Sequence, residues 1–168
     1  MRSSLTSPQS IDDFLLFRMH RVLAHGGGTI RRLCEGQLGI TWREWRLIAS
    51  LKPGVSMLSS ELAQHAQLDR ARTSRGISSL VTKGLIDRQT VPNDQRKATV
   101  CLTDKGRAMY ESFFPVVAAL NHRLVKSLSD AELAVLDKAL LAIQSEAEKM
   151  LDDDALPKAN RRRNGNRD

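Results

Sequence analysis

The chain has 168 residues, 41% apolar and 27% charged, with a formal charge of +7 and an isoelectric point near 9.9. That is enough for one domain with a real core, and too apolar for a disordered chain. Two Trp, one Tyr and four Phe are too few for an RNA-reading sheet that stacks bases. Cys34 and Cys101 cannot make a disulfide framework, no apolar run reaches membrane-spanning length, and MRSSLTSPQS lacks a signal peptide's apolar centre. A reducing, cytoplasmic setting is expected, with an anionic partner such as nucleic acid.

In chain order, residues 1–10 read as a flexible N-terminus. Ile11, Phe14, Leu15, Met19, Val22 and Leu23 recur at helical spacing, and Ile30 and Leu33 continue the pattern. Gly26-Gly27-Gly28 interrupts it at a cost of roughly 2–3 kcal/mol relative to alanine, so a kink or two shorter helices are expected. TWREWRLIASL reads as a second helix, capped by Thr41, turning Trp42, Trp45, Ile48 and Ala49 inward and ended by Pro53-Gly54. SSELAQHA is a short third helix, capped by Ser59 or Ser60, with Leu62, Ala63 and Ala66 buried.

A fourth helix follows a tight turn. Asp69 caps it, Ala71, Ile77, Leu80 and Val81 hold it to the core, and Gly84 stops it. Leu85–Val91 and Ala98–Leu102 are β-prone runs flanking a polar hairpin tip from Pro92 to Lys97. A fifth helix starts at Thr103 and carries Met109, Phe113, Val116, Val117, Leu120 and Leu124 on one side, with Pro115 expected to bend it. The sixth opens on a Ser129/Glu132 capping box. Its Leu133, Leu136, Leu140, Ile143, Ala147 and Met150 are spaced like a two-heptad seam for pairing with another helix. Residues 152–168 read as a disordered basic tail.

The element order is that of a winged helix-turn-helix: mostly α, with a small β-hairpin wing. The charge agrees, at +5 over residues 52–107 and −6 over residues 127–156. The fourth helix leaves Arg70, Arg72, Thr73 and Arg75 on or near its outer face. Arginine is the bidentate partner of guanine, and the hydroxyls of Thr73 and Ser74 suit phosphate or thymine. On the wing, Asp94 would orient Arg96 for minor-groove insertion, while Lys97 and Arg88 contact the backbone.

The run LDRARTSRGISSLVTKGLIDR followed by NDQRKATVCLTDKGR resembles the MarR family of bacterial transcription regulators. The family's wing motif stands here as Asp94, Arg96, Leu102, Thr103 and Gly106, and its recognition-helix Ser-Arg as Ser74 and Arg75. GITWREWRLIASL looks like the family's second helix. The resemblance covers residues 11–151 as a single domain, with a DNA-binding lobe at about 41–102 and dimerisation helices at about 11–35 and 103–151. It implies a homodimer with interleaved terminal helices and a pseudo-palindromic operator. It also implies repression released by a small effector, often an aromatic carboxylate. The Gly26–Gly28 run departs from the family's unbroken first helix.

By the same resemblance, the effector cleft is walled by the first, second and fifth helices. Arg46 would clamp a carboxylate there, beside Trp45, Met19, His20, Leu23 and Phe113. The alternative gives Arg46 a structural partner and leaves Trp45 and Phe113 to the core. A thiol sensor at Cys34, activated by Arg31 and Arg32, is a second route to release, and a non-specific architectural DNA-binding protein is a third class. His20, His25, His65 and His122 lack metal-ligand spacing, so neither a metal nor another cofactor is expected. The sequence carries no G-x-S-x-G, H-E-x-x-H, P-loop or G-x-G-x-x-G, and Cys34 and His25 alone do not make an enzyme.

Overall fold

The computed structural model describes residues 4–91 and 94–151, without the side chains of Gln95, Arg96 and Leu151. A 3₁₀ turn at Ile11–Asp13 leads into α1 (Leu15–Leu33), which a π-helical turn at Cys34–Leu38 prolongs. Then come α2 (Trp42–Leu51), β1 (Ser56–Leu58), α3 (Ser59–His65), α4 (Arg70–Thr82), β2 (Ile86–Val91), β3 (Asp94–Leu102), α5 (Asp104–Val125) and α6 (Asp130–Leu151). The described residues fall into two units, divided between Leu124 and Val125.

Two expectations change, one in α1 and one in α3. Helix α1 runs unbroken through Gly26–Gly28. A Cβ at Gly28 would meet nothing, and at Gly26 it would only touch Leu124, so the run is no device for close packing. The break comes later, at Gly39, whose φ of 62° ends the π turn. Neither Ser59 nor Ser60 caps α3. Leu58 holds that position, its N–H donating to Glu61 Oε2, and Ser59 Oγ donates instead to Ala98 O.

The wing has three strands, not two, in the order β1-β3-β2, all antiparallel. Strand β1 pairs Ser56, Met57 and Leu58 with Cys101, Val100 and Thr99. Three residues beside Pro53-Gly54 carry too little alternation to announce a strand. Strand β3 starts at Asp94, so Gln95–Lys97 lie in the strand rather than at a tip, and the register slips between Thr90 and Val91.

Trp45, Leu47, Ile48 and Leu51 of α2 pack with Leu62, Ile77, Leu80, Leu85, Ile86, Val100 and Phe113, and Cys34 and Ile40 close one end. Trp45 meets Phe113 edge-on at 4.8 Å. Val81 is 40% exposed and Ala71 is exposed, so Ile77 and Leu80 anchor α4 without them. On α5, Phe113 is buried while Val116 and Leu124 of the same apolar set are exposed, and the helix continues through Pro115.

Helix α6 stands in the second unit. Its capping box forms as expected: Ser129 N–H donates to Glu132 Oε2 at 2.8 Å, and Glu132 N–H to Ser129 Oγ at 3.4 Å. Along its seam Leu136, Leu140 and Met150 are 38%, 40% and 63% exposed. The tail at 152–168 lies outside the described residues. Among the described residues no helix is long and apolar enough to cross a membrane.

Candidate nucleic-acid interface

Helix α4 is set by its two ends. Asp69 accepts from Arg72 N–H at 2.8 Å, and that backbone bond, with the Arg72 and Arg75 charges, holds its carboxyl below the usual range. At the far end Glu44 of α2 is only 4% exposed. Burial alone would raise its pKa. Bonds from Ser79 Oγ (2.6 Å), Thr41 N–H (2.6 Å) and Lys83 Nζ (2.9 Å) outweigh burial and lower it. Between the ends, a Cβ on Gly76 would lie 2.6 Å from Leu47 Cδ1, so the two helices touch closely there.

The outer face then carries Arg70, Arg72, Ser74 and Arg75, all exposed. Arg72 Nε lies 3.2 Å from Asp69 Oδ2, which orients its guanidinium, and Arg75 Nε donates to Ala71 O. Thr73 departs from expectation. It is 2% exposed, faces inward, and its Oγ1 finds no hydrogen-bond partner among the described residues.

Thr73 lines a groove of about 410 Å³ where the lobe's elements converge. Ser59, Ser60 and Ala63 come from α3, and Arg70, Ser74 and Ile77 from α4. The wing adds Arg88 from β2 and Lys97 from β3. Lys97 Nζ stands 3.4 Å from Asp94 Oδ2, so the wing carboxylate meets this cation. The expected Asp94–Arg96 contact lies outside the described residues. Arg70, Arg88 and Lys97 thus share one groove, next to the exposed arginines of α4.

The expected effector residues are not brought together. Met19 and Leu23 are 40% and 63% exposed on α1, His20 is exposed beside them, and Phe113 is buried against Trp45. Trp45 and Arg46 do share a groove, but its other walls are Trp42, Ala49, Lys52, Val55, Met57 and His65. Arg46 Nη2 donates to the carbonyls of Ala66 and Gln67. The guanidinium is therefore engaged by the backbone at the turn between α3 and α4. Cys34 is fully buried, and burial together with the neighbouring Glu35 charge pushes its thiol up to about 11, the opposite of the activation expected from Arg31 and Arg32. Sequence reasoning missed Glu44, Ser79, Lys83 and the turn carbonyls, because each acts across elements far apart in the chain. The Thr41-x-x-Glu44 spacing was the one local signal.

A model of the MarR family matches residues 38–97, from the approach to α2 through to Lys97. The chain is 31% identical over 104 residues to the multiple antibiotic resistance protein MarR of Escherichia coli K12, covering 61% of this chain and 72% of that protein. A solved mutant MarR from E. coli is 26% identical with a TM-score of 0.62, covering 78% of this chain and 96% of that one. The DNA complex of S. aureus MepR superposes with a TM-score of 0.70 at 21% identity, over 80% of this chain and 99% of that one.

Proposed function

The chain belongs to the MarR family and is a DNA-binding transcriptional regulator, and we propose that it acts as a homodimeric, sequence-specific repressor of a pseudo-palindromic operator. The observation that carries this reading is the array of exposed Arg70, Arg72 and Arg75 on α4, continued by Arg88 and Lys97 on the wing. In it, α4 enters the major groove. Arg72 reads a base edge with Asp69 orienting it, Arg70, Ser74 and Arg75 flank it, and Arg88, Arg96 and Lys97 follow the adjacent backbone and minor groove.

Selection of duplexes from a randomised library by the full chain tests this. A palindromic consensus is expected, and Arg72→Ala should cost about 1–3 kcal/mol and relax preference at one position per half-site. Equal weakening on every duplex would favour the architectural class instead.

Release by a small aromatic acid is the second part of the proposal. The Thr73 hydroxyl, which has no hydrogen-bond partner among the described residues, favours the groove beneath α4 as its seat. A carboxylate would meet Arg70, Arg88 or Lys97, its ring would lie on Ala63 and Ile77, and Thr73 Oγ1 would gain a partner. Such a ligand takes cations that DNA also needs, so it competes directly. Benzoate and its hydroxylated relatives, titrated against a DNA-bound sample, should displace the duplex. The response should fall at least tenfold in Thr73→Val, judged against that variant's own DNA affinity. A response lost in Arg46→Ala and kept in Thr73→Val, each judged against that variant's own DNA affinity, would move the ligand to the Trp45–Arg46 groove.

A further inference from the structure

Helix α3 ends in a turn that an ordinary residue adopts reluctantly. Leu68 N–H donates to Ala63 O and Gln67 N–H to Gln64 O, both at 3.0 Å, the pattern in which a helix closes on a left-handed residue. That residue is Gln67, at φ 50°, where glycine is the usual occupant. The turn leaves the carbonyls of Ala66 and Gln67 pointing away from the helix. Arg46 Nη2, reaching across from the middle of α2, takes both. Two residues further on, Asp69 caps α4.

From this we infer that Arg46 is a positioning residue for DNA reading: its guanidinium holds the left-handed Gln67 turn and so fixes where the N-terminal half of α4 stands. This rests on the proposed sequence-specific reading. Glu44 grips Ser79 and Lys83 at the other end of α4, Leu47 abuts Gly76 in between, and Arg46 holds the lead-in. Helix α2 therefore carries the reading helix at three heights. The C-terminal and central supports locate the helix axis. Only the Arg46 support bears on the end that presents Arg70, Arg72 and Arg75. A guanidinium suits the task because its planar fork offers several donors at fixed angles to two acceptors, whereas an ammonium is a point donor. Base readout needs that placement, while the attraction of a basic surface for phosphate needs only the charges.

The experiment compares the wild-type chain, Arg46→Ala, Arg46→Lys and Arg46→Ala/Gln67→Gly. Each is titrated over a range of salt against a duplex selected by the wild type and a scrambled duplex of the same composition. Expected is a loss of tenfold or more for Arg46→Ala on the selected duplex, with scrambled-duplex affinity within twofold and an unchanged salt slope. Arg46→Lys should fall between the two. Gln67→Gly, which occupies the left-handed turn without a clamp, should restore a substantial part of the loss. Equal losses on both duplexes would reduce Arg46 to one more positive charge, and unchanged affinity on both would remove it from the reading mechanism.

Amide exchange gives a readout independent of DNA. The amides of Gln67, Leu68 and Arg72 should exchange faster in Arg46→Ala and recover in the double variant, while Leu80 stays protected. Uniform protection across all of them would overturn the inference. If the wild type enriches no duplex, the sequence-specific reading fails, and exchange alone judges the clamp. If Arg46→Ala does not fold, Arg46→Lys and the single Gln67→Gly variant carry the same comparison.

Discussion

Gly106 and Leu85 are in contact through backbone alone: a Cβ built on Gly106 would stand 2.0 Å from the Leu85 carbonyl oxygen. Thr103 frames the same junction, its Oγ1 donating to Gly84 O and accepting from Gly106 N–H, while its own N–H donates to Leu85 O. The start of α5 is thereby seated on the end of α4. Because the obstructing atom is main chain, no rotamer relieves it. Gly106→Ala should destabilise the chain by about 3 kcal/mol in urea melts. Gly36→Ala, with no neighbour within 4 Å, should stay within about 0.5 kcal/mol.

The buried Glu44 carboxylate ties acid stability to the mount of α4. Its pKa in the folded chain is below the ordinary value, so its contribution is fully present above about pH 4.3 and is lost as pH falls through the folded value. Glu44→Gln should be less stable at neutral pH by about 1–2 kcal/mol, since Lys83 is partly exposed and stays hydrated. Its stability should also fall less steeply on acidification. Urea midpoints between pH 3 and 7 test both, and parallel profiles for wild type and variant would contradict the assignment.

Cys34 behaves in the opposite sense. A thiol raised from near 9 to about 11 stays neutral in the fold and ionises more easily once unfolded. Stability should therefore decline as pH rises above about 9, and Cys34→Ala should lack that part of the decline. At neutral pH iodoacetamide should label Cys101 well before Cys34, and peroxide should leave DNA binding intact. Rapid modification of Cys34 in the native chain, with loss of DNA, would establish the thiol-sensing route instead.

The seam of α6 makes a prediction about association. Leu136 and Leu140 project apolar surface that the described part of this chain leaves open. Leu136→Asp with Leu140→Asp should convert a dimer into a monomer in sedimentation at micromolar concentration and weaken binding to the palindromic duplex at least tenfold. A variant that sediments as the wild type does would take the seam out of the interface.

The helices were legible because local chemistry defines their ends. Thr41 with Glu44, Asp69, and Ser129 with Glu132 each announce a start within four residues. The exposed basic face of α4 was legible for a similar reason: Arg70, Arg72 and Arg75 fall within six residues of a capped helix whose core positions lie elsewhere. Strand β1 was not, since its evidence is its pairing with Cys101, Val100 and Thr99, more than forty residues away. Thr73 was misassigned because helical spacing alone cannot separate a residue beside the core from one just outside it, and Ser59 and the wing residues decide that. For Arg46 the sequence leaves a carboxylate clamp and a structural partner both open, because its partners are carbonyls, which leave no trace in the residue alphabet.

The glycine run in α1 has a consequence for how this chain acquires its order. No residue of α1 is buried, and Phe14, Leu16, Val22 and Leu23 all stand more than half exposed. Three successive glycines remove helix propensity at the centre, by roughly 2–3 kcal/mol relative to alanine. Within its own chain the first half of α1 is tied by exposed polar contacts, Arg18 to Asp13 and Arg21 to Asp12, and by no buried apolar surface. In the proposed homodimer the winding of this half is expected to be coupled to assembly, as a local disorder-to-order step. Helical content measured by circular dichroism should then rise with protein concentration, and a Gly27→Ala chain should show a shallower rise.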